Sequence, residues 1–87
     1  MAIDKEHLKR ELIAAGQKAE ERTMLLCNAD LRKILAMIIK DKGSYDKHQF
    51  ELIKAKLEEL IALSSDGHTP DTIKRIKNGV YYLTNVV

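Results

Sequence analysis

Apolar residues recur at three- and four-residue steps in four stretches of this 87-residue chain. The clearest holds Phe50, Ile53, Leu57, Leu60 and Ile61, a spacing that puts all five on one face of a helix. Tyr45-Asp46-Lys47-His48-Gln49-Phe50, just before it, reads as a helix start. Asp46 is placed to accept a hydrogen bond from a first-turn amide, and Gln49 to reach back to the Asp46 amide. Tyr45 and Phe50 occupy the positions of a hydrophobic staple. On the outer face Glu51 to Lys54 and Lys54 to Glu58 have the spacing of ion pairs. Ser64-Ser65-Asp66-Gly67 ends the helix, with Gly67 at the exit.

The N-terminal half carries two stripes. Asp4 is an N-cap candidate, and Leu8, Leu12, Ala15 and Ala19 follow as a narrow seam. Ala14, Ala15 and Gly16 keep that seam small, so another helix could approach closely. The competing reading is a weakly packed surface helix. Cys27, Leu31, Ile34 and Ile38, with Leu35 beside them, form the second stripe, one residue out of phase with the first. Asn28-Ala29-Asp30 marks the shift, and Asn28 and Asp30 are both capping types. Residues 4–41 therefore read either as two helices or as one long helix whose halves face different partners. A continuous helix from Lys5 to Lys40 would be about 54 Å long. Gly43 is the expected left-handed residue after this region.

Thr69-Pro70-Asp71 opens the last helix: a cap, a proline at the first helical position and an acid at the positive end of the dipole. Ile73, Ile76, Val80, Leu83 and Val87 form its stripe. Gly79 lies inside it, where glycine costs roughly 1 kcal/mol against alanine and more often serves a close helix contact than chemistry.

Composition agrees with helix and narrows little else. Ala, Leu, Ile, Lys and Glu dominate, and 32% of residues are charged. The length allows one domain, residues 1–87, and no repeat or linker divides it. A net charge of +2 offers weak steering toward nucleic acid. The N-terminus lacks a signal peptide's apolar core, and the longest apolar run, Ile34 to Ile39, is too short to cross a bilayer. The expected setting is the cytoplasm, with no membrane contact. The lone Cys27 excludes a disulfide framework.

Candidate chemistry is sparse. His7, His48 and His68 stand far apart in sequence, and none has the spacing that places two metal ligands on one helix face. Glu58 and Glu59 are adjacent, so they point apart. No phosphate loop is present. The expectation is no catalytic residue, no metal and no cofactor. One surface has a ligand signature: Lys74, Arg75, Asn78 and Tyr82 share a side of the last helix, with Lys77 and Tyr81 on the adjoining strip. Basic donors among tyrosines hold phosphates while the rings stack on bases. The amides of Thr69 to Thr72 would add anion donors. The competing reading is a solvated basic face.

The expected fold is all-α, a small bundle of three to four helices completed by homo-oligomerisation. Leu8, Leu12, Ala15 and Ala19 would form the oligomer or partner interface. The expected function is that of a non-enzymatic regulator or inhibitor which binds itself and a target protein. In size and style the chain resembles small helical regulators of phages and mobile elements, a likeness that carries no residues across. The alternative is a binder of a phosphorylated ligand such as a nucleotide, or of nucleic acid, through Lys74, Arg75, Lys77, Asn78, Tyr81 and Tyr82.

Overall fold

The computed structural model describes residues 4–87. Four helices, α1 (Lys5–Glu20), α2 (Met24–Lys40), α3 (Lys47–Ser65) and α4 (Pro70–Val86), follow one another through short connections. The turn between α2 and α3 includes one 3-10 segment, Lys42–Ser44, and no strand occurs among the described residues. Each helix packs chiefly on the two beside it, with α4 returning to α1 and closing the ring. The body measures 36 × 21 × 19 Å.

The helix starts follow the local sequence. The Asp4 carboxylate accepts from the amides of Glu6 and His7 at 3.1 and 3.2 Å. Asp46 accepts from the Gln49 amide at 2.8 Å, and Thr69 Oγ1 from the Thr72 amide at 3.2 Å. Each satisfies a first-turn donor that the helix itself leaves open. The reciprocal half of the box at Asp46 does not form. The Gln49 side chain instead donates to the Val86 carbonyl at 2.7 Å, at the end of α4 where carbonyls lack intrahelical donors. The Glu51–Lys54 and Lys54–Glu58 pairs do not form either; the ion pair on α3 is Lys56–Glu59 at 2.7 Å.

The N-terminal region is two helices, and the break falls earlier than the capping residues at Asn28 and Asp30 suggest. Arg22 takes a left-handed conformation (φ 64°). The Thr23 amide reaches the Lys18 carbonyl at 2.9 Å and the Arg22 amide reaches Ala19 at 3.0 Å. Those two bonds make a Schellman termination with arginine where glycine is usual. The Thr23 hydroxyl donates to Lys18 O at 2.9 Å, so it finishes α1 and does not cap α2. Asn28 and Asp30 lie inside α2 and reach sideways. Asn28 Nδ2 donates to Ser64 Oγ at 2.8 Å and to Ile61 O at 3.2 Å on α3, while Asp30 binds Lys18 on α1. Gly43 is corrected too: it lies within the 3-10 turn, and Gly67 (φ 118°) is the glycine with positive φ.

The reversal at Arg22 turns α2 back on α1, and both stripes then face one interior. Leu8, Leu12, Ala15 and Ala19 are buried together with Cys27, Leu31, Ile34 and Ile38. This corrects the expectation that the α1 seam is an oligomer or partner interface. The phase difference was absorbed by the turn, and the seam is spent inside the subunit. Ile53, Leu57 and Leu60 of α3 and Ile76, Val80 and Leu83 of α4 complete the core. Burying such a side chain contributes about 1.5–3 kcal/mol before entropic costs. Phe50, Ile61, Ile73 and Val87 sit at its edge. Tyr45 is buried under the α2–α3 connection, and its hydroxyl has no hydrogen-bond partner among the described residues.

Two glycines mark close helix approaches of different tightness. A Cβ on Gly79 would lie 2.4 Å from Leu60 Cδ2 and 3.1 Å from Leu60 Cγ, with Leu60 itself buried. A Cβ on Gly16 would meet Val80 Cγ1 at 3.4 Å, an ordinary contact.

Gly79→Ala is expected to destabilise the fold by about 1–3 kcal/mol through overpacking, despite a gain in helix propensity. Gly16→Ala should stabilise by up to about 1 kcal/mol. Opposite shifts of the urea midpoint check the pair. Arg22→Gly should raise stability by about 1 kcal/mol, because glycine occupies the left-handed region without the Cβ penalty. A lowered midpoint would show that the arginine side chain contributes more than its backbone strain costs.

Candidate functional site

The cap at Thr69 and the buried line Ile76, Gly79, Val80 and Leu83 fix the rotation of α4. The six residues of the candidate ligand surface are consequently all exposed. They do not form one site. Arg75, Asn78 and Tyr82 border a groove shared with Lys56, Glu59 and Leu63 of α3. Lys77 and Tyr81 border another, with Ile13, Gln17 and Glu20 of α1. Lys74, expected beside Arg75 and Tyr82, instead lines a recess with Lys77, Glu20 and Arg22 on the α1 side, and Asn78 borders both this recess and the Arg75 groove. The separation follows from α4 standing between two neighbours, with its outer ridge parting their grooves.

Arg75, Lys77 and Lys56 have partners there, whereas Lys74 has no ion-pair partner among the described residues. Arg75 Nε lies 2.9 Å from Asp71, and Lys77 Nζ lies 3.2 Å from Glu20. Lys56, paired with Glu59, also stands 5.4 Å above the Tyr82 ring. Exposed pairs of this kind contribute about 0–1 kcal/mol to stability, but they offset the positive field an anion would need. The Thr72 amide is likewise engaged by Thr69 Oγ1, which leaves fewer donors at that helix start.

Cys27 is fully buried on the core side of α2. Burial, with the Asp30 carboxylate adding to it, pushes the thiol up to about 11. At neutral pH it is a protonated packing group. His7 sits 3.6 Å from Glu11 on its own helix. Among the described residues no three of His, Cys, Asp and Glu converge as a metal set. No described helix is long and apolar enough to cross a membrane.

The structure brings forward surface residues outside the sequence candidates. Leu25, Leu26, Ile13, Ile39 and Leu52 are large apolar side chains left exposed, as are Tyr81 and Tyr82. The signal was present in α2, whose apolar residues occupy both sides of the helix and exceed what one core-facing stripe requires. No protein-family model matches the chain, and neither a curated protein nor a solved structure shows detectable similarity to it.

The buried thiol makes stability pH-dependent in the alkaline range. An unfolded cysteine releases its proton near its ordinary value of 9.0, whereas the folded one holds it to about 11. The folded state then binds more protons, so stability falls as pH rises from 9 towards 11, by at most about 1.4 kcal/mol per pH unit. Tyr45, raised by burial, and Lys18, raised by its hydrogen bond to Asp30 against opposing burial, add losses of the same sign above their ordinary values of 10.0 and 10.5. Cys27→Ala should be less stable at pH 7 but should flatten the decline between pH 9 and 10. Urea titrations across that range check both.

Proposed function

We propose that the protein is a non-enzymatic regulator or inhibitor that acts by binding a protein partner. One observation carries the reading: large apolar side chains remain outside a core that closes within the subunit. Tyr81 is 73% exposed and Ile13 51% exposed across the α1–α4 groove, and Leu25 is 90% exposed on α2. Exposed apolar side chains that cluster mark interaction surfaces more often than catalytic ones. Self-association is not part of the proposal, because the α1 seam that motivated it is consumed inside the subunit.

The alternative, a nucleotide or nucleic-acid binder, has one favourable observation: Tyr82, Arg75 and Asn78 border one groove with Lys56. The carboxylates of Asp71 and Glu59, paired to its two cations, weigh against it. Calorimetric titration of the whole chain with nucleotides and short oligonucleotides separates the readings. No saturable heat is expected. Saturable binding that Arg75→Glu and Lys74→Glu abolish, with the fold intact, would overturn the protein-partner reading. A steep loss of that binding with salt would further assign it to nucleic acid.

A further inference from the structure

At about 100° per residue, the buried line of α2 through Cys27, Leu31, Ile34 and Ile38 has an opposite. That opposite line holds Leu25, Ala29, Arg32, Ala36 and Ile39, at steps of four, three, four and three residues, and all five are exposed. The outermost ridge of a solvated helix ordinarily carries charge. Here its ends are Leu25, 90% exposed, and Ile39, 46% exposed, with alanines between. The step pattern is that of one helix packing along another.

The charge on this face has one sign. Arg32 lies at the middle of the ridge, with Lys33 and Lys40 along one flank, all exposed. None of the three has an ion-pair partner among the described residues. The Arg32 Nε–H donates to the neutral Asn28 Oδ1 at 2.8 Å, which leaves its other donors free. The single carboxylate between Met24 and Lys40 is Asp30, and it is engaged with Lys18 of α1. A second copy does not fit: two-fold antiparallel pairing on this ridge would set Arg32 against Arg32. A lipid surface fits poorly, because the apolar ends are separated by a guanidinium on the same line.

We infer that the outer face of α2 docks an acidic amphipathic helix of a partner protein. Leu25 and Ile39 are the apolar contacts, and Arg32, Lys33 and Lys40 meet carboxylates on the partner's flanks. The alanines let the helices approach closely. This rests on the protein-partner reading above and names its surface.

The test uses the full chain and two synthetic heptad peptides, both with leucine at the seam. One carries glutamate at the flanking positions, the other lysine; like charges keep either from pairing with itself. Fluorescence anisotropy should show binding of the glutamate peptide and binding of the lysine peptide at least about tenfold weaker. Leu25→Ser, at an exposed position, should weaken binding about tenfold with an unchanged thermal midpoint. Arg32→Glu combined with Lys33→Glu should reverse the peptide preference.

Equal binding of both peptides, or binding of neither, would overturn the α2 assignment and leave the protein-partner reading to the nucleotide titration. A dimer in sedimentation that Leu25→Ser dissociates would replace the partner helix by a second copy, and so overturn the assignment too. Binding to phosphatidylserine vesicles but to neither peptide would overturn the α2 assignment and the protein-partner reading together.

Discussion

The structure depends on the reversal at Glu21–Thr23. α1 and α2 carry stripes that differ in phase, and on one continuous helix they could not face the same interior. The left-handed Arg22 and the two bonds back to Lys18 and Ala19 stop α1, and α2 then folds alongside it. Once the two stripes oppose each other, α3 and α4 need only cover the open sides. The cost is one non-glycine residue in the left-handed region, about 1–2 kcal/mol. Several buried aliphatic side chains, together contributing more than that, are aligned by it.

Apolar packing is non-directional and tolerates sliding, so helix register needs a second kind of contact. The polar side chains near the core supply it. Asn28 on α2 ties to Ser64 Oγ and the Ile61 carbonyl on α3, and the buried Ser64 hydroxyl is satisfied by Asn28 and Ile61. Lys18 ties α1 to Asp30 of α2, and Gln49 ties the start of α3 to the end of α4. Glycines then set how close the layers come, with Leu60 seated against Gly79 and Val80 against Gly16.

A core that closes within one subunit changes what the surface means. Apolar residues that would have been ascribed to oligomer seams are interior, and those outside are a different set, led by Leu25 on α2 and by Ile13 and Tyr81 across the α1–α4 groove. The basic residues of α4 are divided between two grooves, and Arg75 and Lys77 are held by carboxylates. Lys74 on α4 has no ion-pair partner among the described residues, and neither do Arg32, Lys33 and Lys40 on α2, which lie beside exposed apolar side chains.

By itself the sequence determined what depends on neighbours within one turn. Helical class, the caps at Asp4, Asp46 and Thr69, the exit at Gly67 and the apolar stripe of each helix are all local or periodic, and all are present. Where a side chain had two possible partners, the tertiary structure decided. Asn28, Asp30 and Gln49 have the chemistry of caps, yet neighbouring helices offered them hydrogen-bond partners and drew them sideways. The break at Arg22 was hidden because arginine gives no sign of a left-handed residue; only the packing gained by folding α2 back on α1 offsets that strain. The same cause divides the surface. Periodicity shows that α2 has two apolar sides, but which one faces water is decided when α1 and α3 close over the other.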